Sequence, residues 1–309
     1  MRGAARGAPE APKMSLIDLI LNLAGLLFWL NWRSMRFDPL AHSSAATLAG
    51  TLKRAEPQRL RGWQFLAGLG GLLLFRALLY WQIGGAAGWT PKLDLTWVVL
   101  AFRCDHLTFR ADVLGSALLY SVLSFVRLLA MVYFWLLALV AINRKGGETD
   151  PLQKLLRAHL GGVGRWPWWV QSLLPLVLAA GLWAALHPLL VSLNVTGPVQ
   201  SPTHLLEQGL LLGAALYLSL KYLLPGLLLL HLVVSYVYLG RNPLWDFVSL
   251  TSHNLLAPLR RLPLRYATVD FAPLAGAALI LLLLHVLPVH ALPWLEQRYH
   301  LKLWPVWPV

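Results

Sequence analysis

Residues 112–142 read DVLGSALLYSVLSFVRLLAMVYFWLLALVAI. This run decides the fold class. Its charges are Asp112 at the start and Arg127 midway, and it exceeds the roughly 20 apolar residues that a helix needs to cross a bilayer. It is rich in Leu and Ala without period-two alternation, so it predicts helix and not a barrel strand. It is too long for one upright crossing and must tilt, kink or protrude. Five further apolar runs lie at about 15–32, 64–84, 168–192, 205–239 and 272–290. Pro225-Gly226 predicts a kink in the run at 205–239. With 58% hydrophobic and 13% charged residues, and a mean hydropathy of +0.60, the chain lies outside the soluble globular range. The expectation is an all-α, polytopic transmembrane protein of about six spans.

A net charge of +13 would point to nucleic acid in a soluble protein. Here its distribution favours the positive-inside rule, and no nucleic acid is expected. Loops 33–62, 143–167 and 240–271 hold fifteen Lys and Arg, against five in 85–111, 193–204 and the C-terminal tail. The three rich loops are therefore expected in the cytoplasm, with both termini outside. Arg2, Arg6 and Lys13 oppose that orientation for the first helix. The first apolar run ends in Trp29-Leu30-Asn31-Trp32-Arg33, an interfacial anchor and not a small-residue cleavage site, so it reads as a retained helix. Met14 makes a natural alternative start. The single cysteine, Cys104, excludes an intramolecular disulfide and a cysteine metal cluster.

Punctuation between the spans points to an internal repeat. Residues 112–192 run apolar helix, Asp150-Pro151-Leu152, amphipathic piece, then apolar helix reaching His187-Pro188. Residues 193–290 repeat that order through Asn242-Pro243-Leu244 to His285 and Pro288. Asp150 and Asn242 are good N-caps, and a proline suits the first helical position. Leu152, Leu155, Leu156 and Leu160 share one face, as do Leu244, Phe247, Val248, Thr251 and Leu255. Both pieces therefore predict short amphipathic helices lying in the membrane interface. Gly161-Gly162 should stop the first and Pro258 the second. The expected organisation is a disordered extension at 1–13, a two-helix membrane unit at 14–111, repeats at 112–192 and 193–290, and a tail at 291–309. Within the two-helix unit, 93–100 reads as an interfacial or short buried segment.

The block from Asn242-Pro243 through Pro258, Arg260, Arg261 and Pro263 to Asp270 and Pro273 resembles the YGGT family of small bacterial and plastid membrane proteins. The likeness covers roughly 112–290 and is specific in 242–276. The family's Gly-Gly turn and its Ser before the final proline are here Ala267-Thr268 and Ala272. The first copy offers Arg157 and Arg165 in place of the Arg-Arg pair. The resemblance implies a two-repeat membrane scaffold or assembly factor, linked in bacterial relatives to osmotic stress or cell division, and in plastid relatives to haem-cytochrome assembly and nucleoid or envelope organisation.

Ionisable residues inside spans are candidate functional groups. Asp18, Arg76, Arg127 and Lys221 qualify, each against the plainer reading that it snorkels or pairs for stability. His187 and His285 occupy equivalent places in the two halves, where facing imidazoles could ligate haem. A phosphate loop and a Gly-x-Ser-x-Gly elbow are both missing. Arg260 and Arg261 are suited to anionic lipid headgroups or a partner's acidic surface.

These features favour a non-enzymatic membrane scaffold or assembly factor in the bacterial inner membrane. No cofactor is expected, and its partners would be the bilayer with anionic lipid at the cytoplasmic face and other membrane proteins. Two other classes stay open: an ion or small-solute transporter or channel using Arg127, Lys221 and Asp18, and a haem-protein assembly factor.

Overall fold

The computed structural model describes residues 13–34, 62–87, 92–93, 107–110, 112–144, 151–199, 201–237, 240, 242–259, 265–266 and 269–286. The 1–13 extension apart from its last residue, the tail at 291–309, most of 93–100, and Arg260, Arg261 and Pro263 lie outside the described residues. Nine α-helices are present among the described residues: α1 Lys13–Ser34, α2 Gly62–Ala87, α3 Leu114–Ile142, α4 Pro151–Leu160, α5 Trp168–Ser192, α6 Pro202–Leu218, α7 Leu220–Tyr236, α8 Pro243–Leu255 and α9 Ala272–Leu281. A π-helical turn, Leu282–Val286, extends α9. A 3-10 helix, Gly161–Arg165, follows α4, and two antiparallel pairs of two-residue strands are present: β1 Lys92–Leu93 with β2 Leu107–Thr108, and β3 Arg265–Tyr266 with β4 Val269–Asp270.

Among the described residues, four helical stretches are long and apolar enough to cross a membrane: Gly62–Ile83, Leu114–Ile142, Trp168–Ser192 and Pro202–Tyr236. Their surfaces are inverted relative to a soluble protein. On α2, Leu74 and Phe75 are 52% and 59% exposed while the neighbouring Arg76 is fully buried. Asn143, Gln153, Gln208, Ser219 and Lys221 are likewise buried, while Val177, Leu178 and Leu182 of α5 face outward. Outward apolar side chains cost nothing against hydrocarbon, and inward polar ones must find partners.

The chain divides into two compact units, one of Met1–Pro91 with Arg110–Leu129, the other of Lys92–Phe109 with Ala130–Val309. The boundary between these units falls inside α3. In the first unit, α1 and α2 pack closely. A Cβ on Gly25 of α1 would lie 3.3 Å from the Leu69 side chain of α2 and 3.0 Å from the Phe125 ring of α3, and one on Gly68 of α2 would lie 3.1 Å from the Phe28 ring of α1.

The second unit is built on two helix pairs, α5 with α6 and α7 with α9, and α8 packs on α7. A Cβ on Gly209 would sit 2.6 Å from the Ala180 Cα, and one on Gly213 would sit 2.8 Å from the Leu176 Cα. Glycine at that spacing brings two helix backbones together. Leu228, Leu256, Ala272 and Ala277 form the core joining α7, α8 and α9.

The long apolar run at 205–239 breaks at Ser219, earlier than its Pro225-Gly226 suggested. Pro225 lies inside α7. Its ring withholds an N–H from the carbonyl of Lys221, four residues back. The Ser219 hydroxyl donates to the Leu216 carbonyl and accepts from the Trp135 indole at 3.0 Å, which fastens the break.

The two short helices begin at Pro151 and Pro243. The Asn242 Oδ1 accepts from the Leu244 N–H at 3.1 Å, an N-cap. Gly161, at φ +59°, follows the end of α4, and a turn through Pro258 follows α8. The two helices differ in which of the expected face residues they bury. On α4 the buried residue is Gln153, while Leu155 is 51% exposed; on α8, Phe247, Val248, Thr251 and Ser252 are buried, while Leu244 is exposed. The reason is polar pairing, which draws Gln153 inward.

Candidate functional site

The first unit encloses a charged cluster supplied by three helices. Asp18 and Asn22 come from α1, Arg76 and Tyr80 from α2, and Tyr120 and Ser124 from α3. On each helix the two residues are four apart and so lie one above the other on one face. The Arg76 guanidinium donates to Asp18 Oδ1 at 2.6 Å, Asn22 Oδ1 at 2.7 Å and Ser124 Oγ at 2.8 Å. Tyr80 donates to Asp18 Oδ1, and Tyr120 to Asp18 Oδ2 at 2.7 Å. The Asn22 amide donates to Ser124 at 3.1 Å. The guanidinium also sits within 5.6 Å of both tyrosine ring centres, a cation–π range. Of the Arg76 nitrogens, Nε lacks a hydrogen-bond partner. Sequence reasoning singled out Asp18 and Arg76 but missed the other four. The four-residue spacing of polar groups inside apolar helices was the signal that could have found them.

Arg127 is half-buried on α3 in the same unit. At the start of α3, Arg110 and Asp112 form an exposed pair at 2.7 Å. The hydrogen bond from Arg110 holds the Asp112 carboxyl below its ordinary range.

In the second unit, Lys221 is buried at the start of α7, with Nζ 3.5 Å from His285 Nδ1 and 4.9 Å from the Tyr222 ring centre. His285 belongs to the π-helical turn and is exposed. Such turns concentrate at functional sites. His187 lies elsewhere in the unit, buried edge-on against Trp183 at 5.9 Å. His187 and His285 share no hydrogen bond or ring contact among the described residues. Among those residues no group of three or more His, Cys, Asp or Glu is placed to hold a metal.

A third polar cluster ties α4 to α8. Asn143, fully buried just past α3, donates from Nδ2 to Thr251 Oγ1 at 2.7 Å and accepts at Oδ1 from Asn254 at 2.9 Å. Its carbonyl accepts from Gln153 Nε2 at 2.6 Å. The motif residues after α8 do structural work where they are described. Asp270 Oδ1 accepts from the N–H of Ala272, the first residue of α9, at 2.9 Å, and Pro273 is buried in its first turn. Pro258 is an exposed turn residue.

No protein-family model matches the chain, and no curated protein or solved structure matches it significantly.

Proposed function

We propose that the chain is a multi-pass protein of the bacterial inner membrane that acts as a scaffold or assembly factor for other membrane proteins. About six crossings are reached by adding α1, 22 residues long, and the apolar segment Ala272–Val286 to the four membrane-length stretches. The carrying observation is the Asp18–Arg76 cluster. A carrier must exchange the partners of its intramembrane charges during turnover. Here the carboxylate accepts from three side chains and the guanidinium, carried on α2, bonds groups on both α1 and α3, an arrangement suited to fixing helices in place. The likeness of 242–276 to the YGGT family supports the link to envelope assembly, with Arg260 and Arg261 as the contact for an acidic partner or headgroup.

Purification of the tagged chain from mildly solubilised membranes, after cross-linking in place, tests this reading. A membrane-protein partner should be recovered in stoichiometric amount. Its recovery should fall in Arg260→Gln/Arg261→Gln but not in Arg298→Gln/Lys302→Gln. Partner-free protein that drives solute flux in proteoliposomes would overturn the reading. Transport is a second reading because Lys221 is buried beside a broken helix, and helix breaks are where transporters build binding sites.

A further inference from the structure

Lys221 and Arg76 are both buried cations, yet their surroundings differ. Arg76 has the Asp18 carboxylate at 2.6 Å. Lys221, 7% exposed, has His285 and the Tyr222 ring, and no carboxylate of the described residues lies within ion-pair distance. A desolvated ammonium is costly unless an anion accompanies it. The neighbouring imidazole cannot serve as that anion. At most it accepts one of the three ammonium hydrogens through Nδ1, leaving the others and its own ring N–H as donors.

The approach to this pair is apolar. His285 is exposed on a turn where Leu282, Leu283 and Val286 are 51%, 50% and 40% exposed, and Tyr222 beside Lys221 is 55% exposed. A ligand reaching the ammonium from that side brings an anionic head against Lys221 and His285 and lays hydrocarbon over the leucines. We infer that Lys221 and His285 form a binding site for an anionic amphiphile, a phospholipid or a fatty acid, whose head supplies the counter-charge that Asp18 supplies to Arg76. The inference does not depend on the scaffold reading, since a carrier and a scaffold could each hold such a lipid.

The test uses the full chain, delipidated in a neutral detergent and titrated with phosphatidylglycerol, oleate, phosphatidylcholine and inorganic phosphate. Binding is followed by native mass spectrometry and by the midpoint of thermal unfolding. Phosphatidylglycerol or oleate should bind and raise the midpoint, and whichever is tighter identifies the head as phosphate or carboxylate. Phosphatidylcholine and inorganic phosphate should bind at least tenfold more weakly. Lys221→Met should weaken the anionic amphiphile at least tenfold, Lys221→Arg should retain it, and His285→Gln should weaken it several-fold. Lys154→Gln, an exposed lysine on α4, should change nothing. His285 is exposed, so its variant keeps the test decisive even if Lys221→Met misfolds. Unchanged affinity in folded Lys221→Met or in His285→Gln, or inorganic phosphate binding as tightly as the amphiphiles, would overturn the inference.

Discussion

Arg76 of α2 and Asp18 of α1 meet at 2.6 Å with the arginine side chain wholly buried and the aspartate 19% exposed. Removing one member of a buried ion pair leaves the other uncompensated, at about 3–5 kcal/mol, whereas replacing both together costs far less. Arg76→Met is therefore expected to lower the unfolding midpoint in detergent sharply. Asp18→Asn/Arg76→Met should recover a large part of the loss. A double variant as unstable as the single would mean that the pair is not the source of the stabilisation.

The glycines of the α5–α6 pair give a prediction with an internal control. A methyl group at Gly209 meets the Ala180 backbone at 2.6 Å, while one at Gly181 meets nothing within 4 Å. Gly209→Ala should destabilise the pair, because backbone cannot yield as a flexible side chain can. Gly181→Ala should be neutral or mildly stabilising through its helix propensity. Denaturation by sodium dodecyl sulfate, followed by circular dichroism, compares the two directly.

Asn143 and Thr251 hold α8 against the end of α3 through a 2.7 Å hydrogen bond. Thr251→Val keeps the shape and removes the acceptor, leaving a buried amide N–H unpaired at about 1–3 kcal/mol. Asn254→Ala removes a donor from a half-buried position, so its cost should be smaller. Hydrogen exchange of the α8 amides should rise more in the first variant than in the second.

The membrane-length helices, the prolines that start α4 and α8, and the Asn242 cap follow from hydropathy and local chemistry, and these were legible residue by residue. The charges inside the spans were also visible, but their partners were not. Asn22, Tyr80, Tyr120 and Ser124 are unremarkable in Leu-rich runs until three helices bring them to one point. Gln153 shows the same limit in reverse, since the residue that α4 buries is an amide paired with the Asn143 carbonyl and not one of its leucines. The break falls at Ser219, six residues before the proline that signalled it, where the serine hydroxyl bonds the Leu216 carbonyl and the Trp135 indole.

The whole account stands on the chain crossing the membrane with its basic loops on one side. Single-cysteine variants on a Cys104→Ser background, labelled with an impermeant maleimide on intact bacterial cells, test that claim most directly. Lys154, Thr203 and His253 are exposed in the structure. The account predicts that Thr203→Cys reacts on intact cells, and that Lys154→Cys and His253→Cys react only once the membrane is opened. Labelling of Lys154→Cys or His253→Cys from outside intact cells would contradict it.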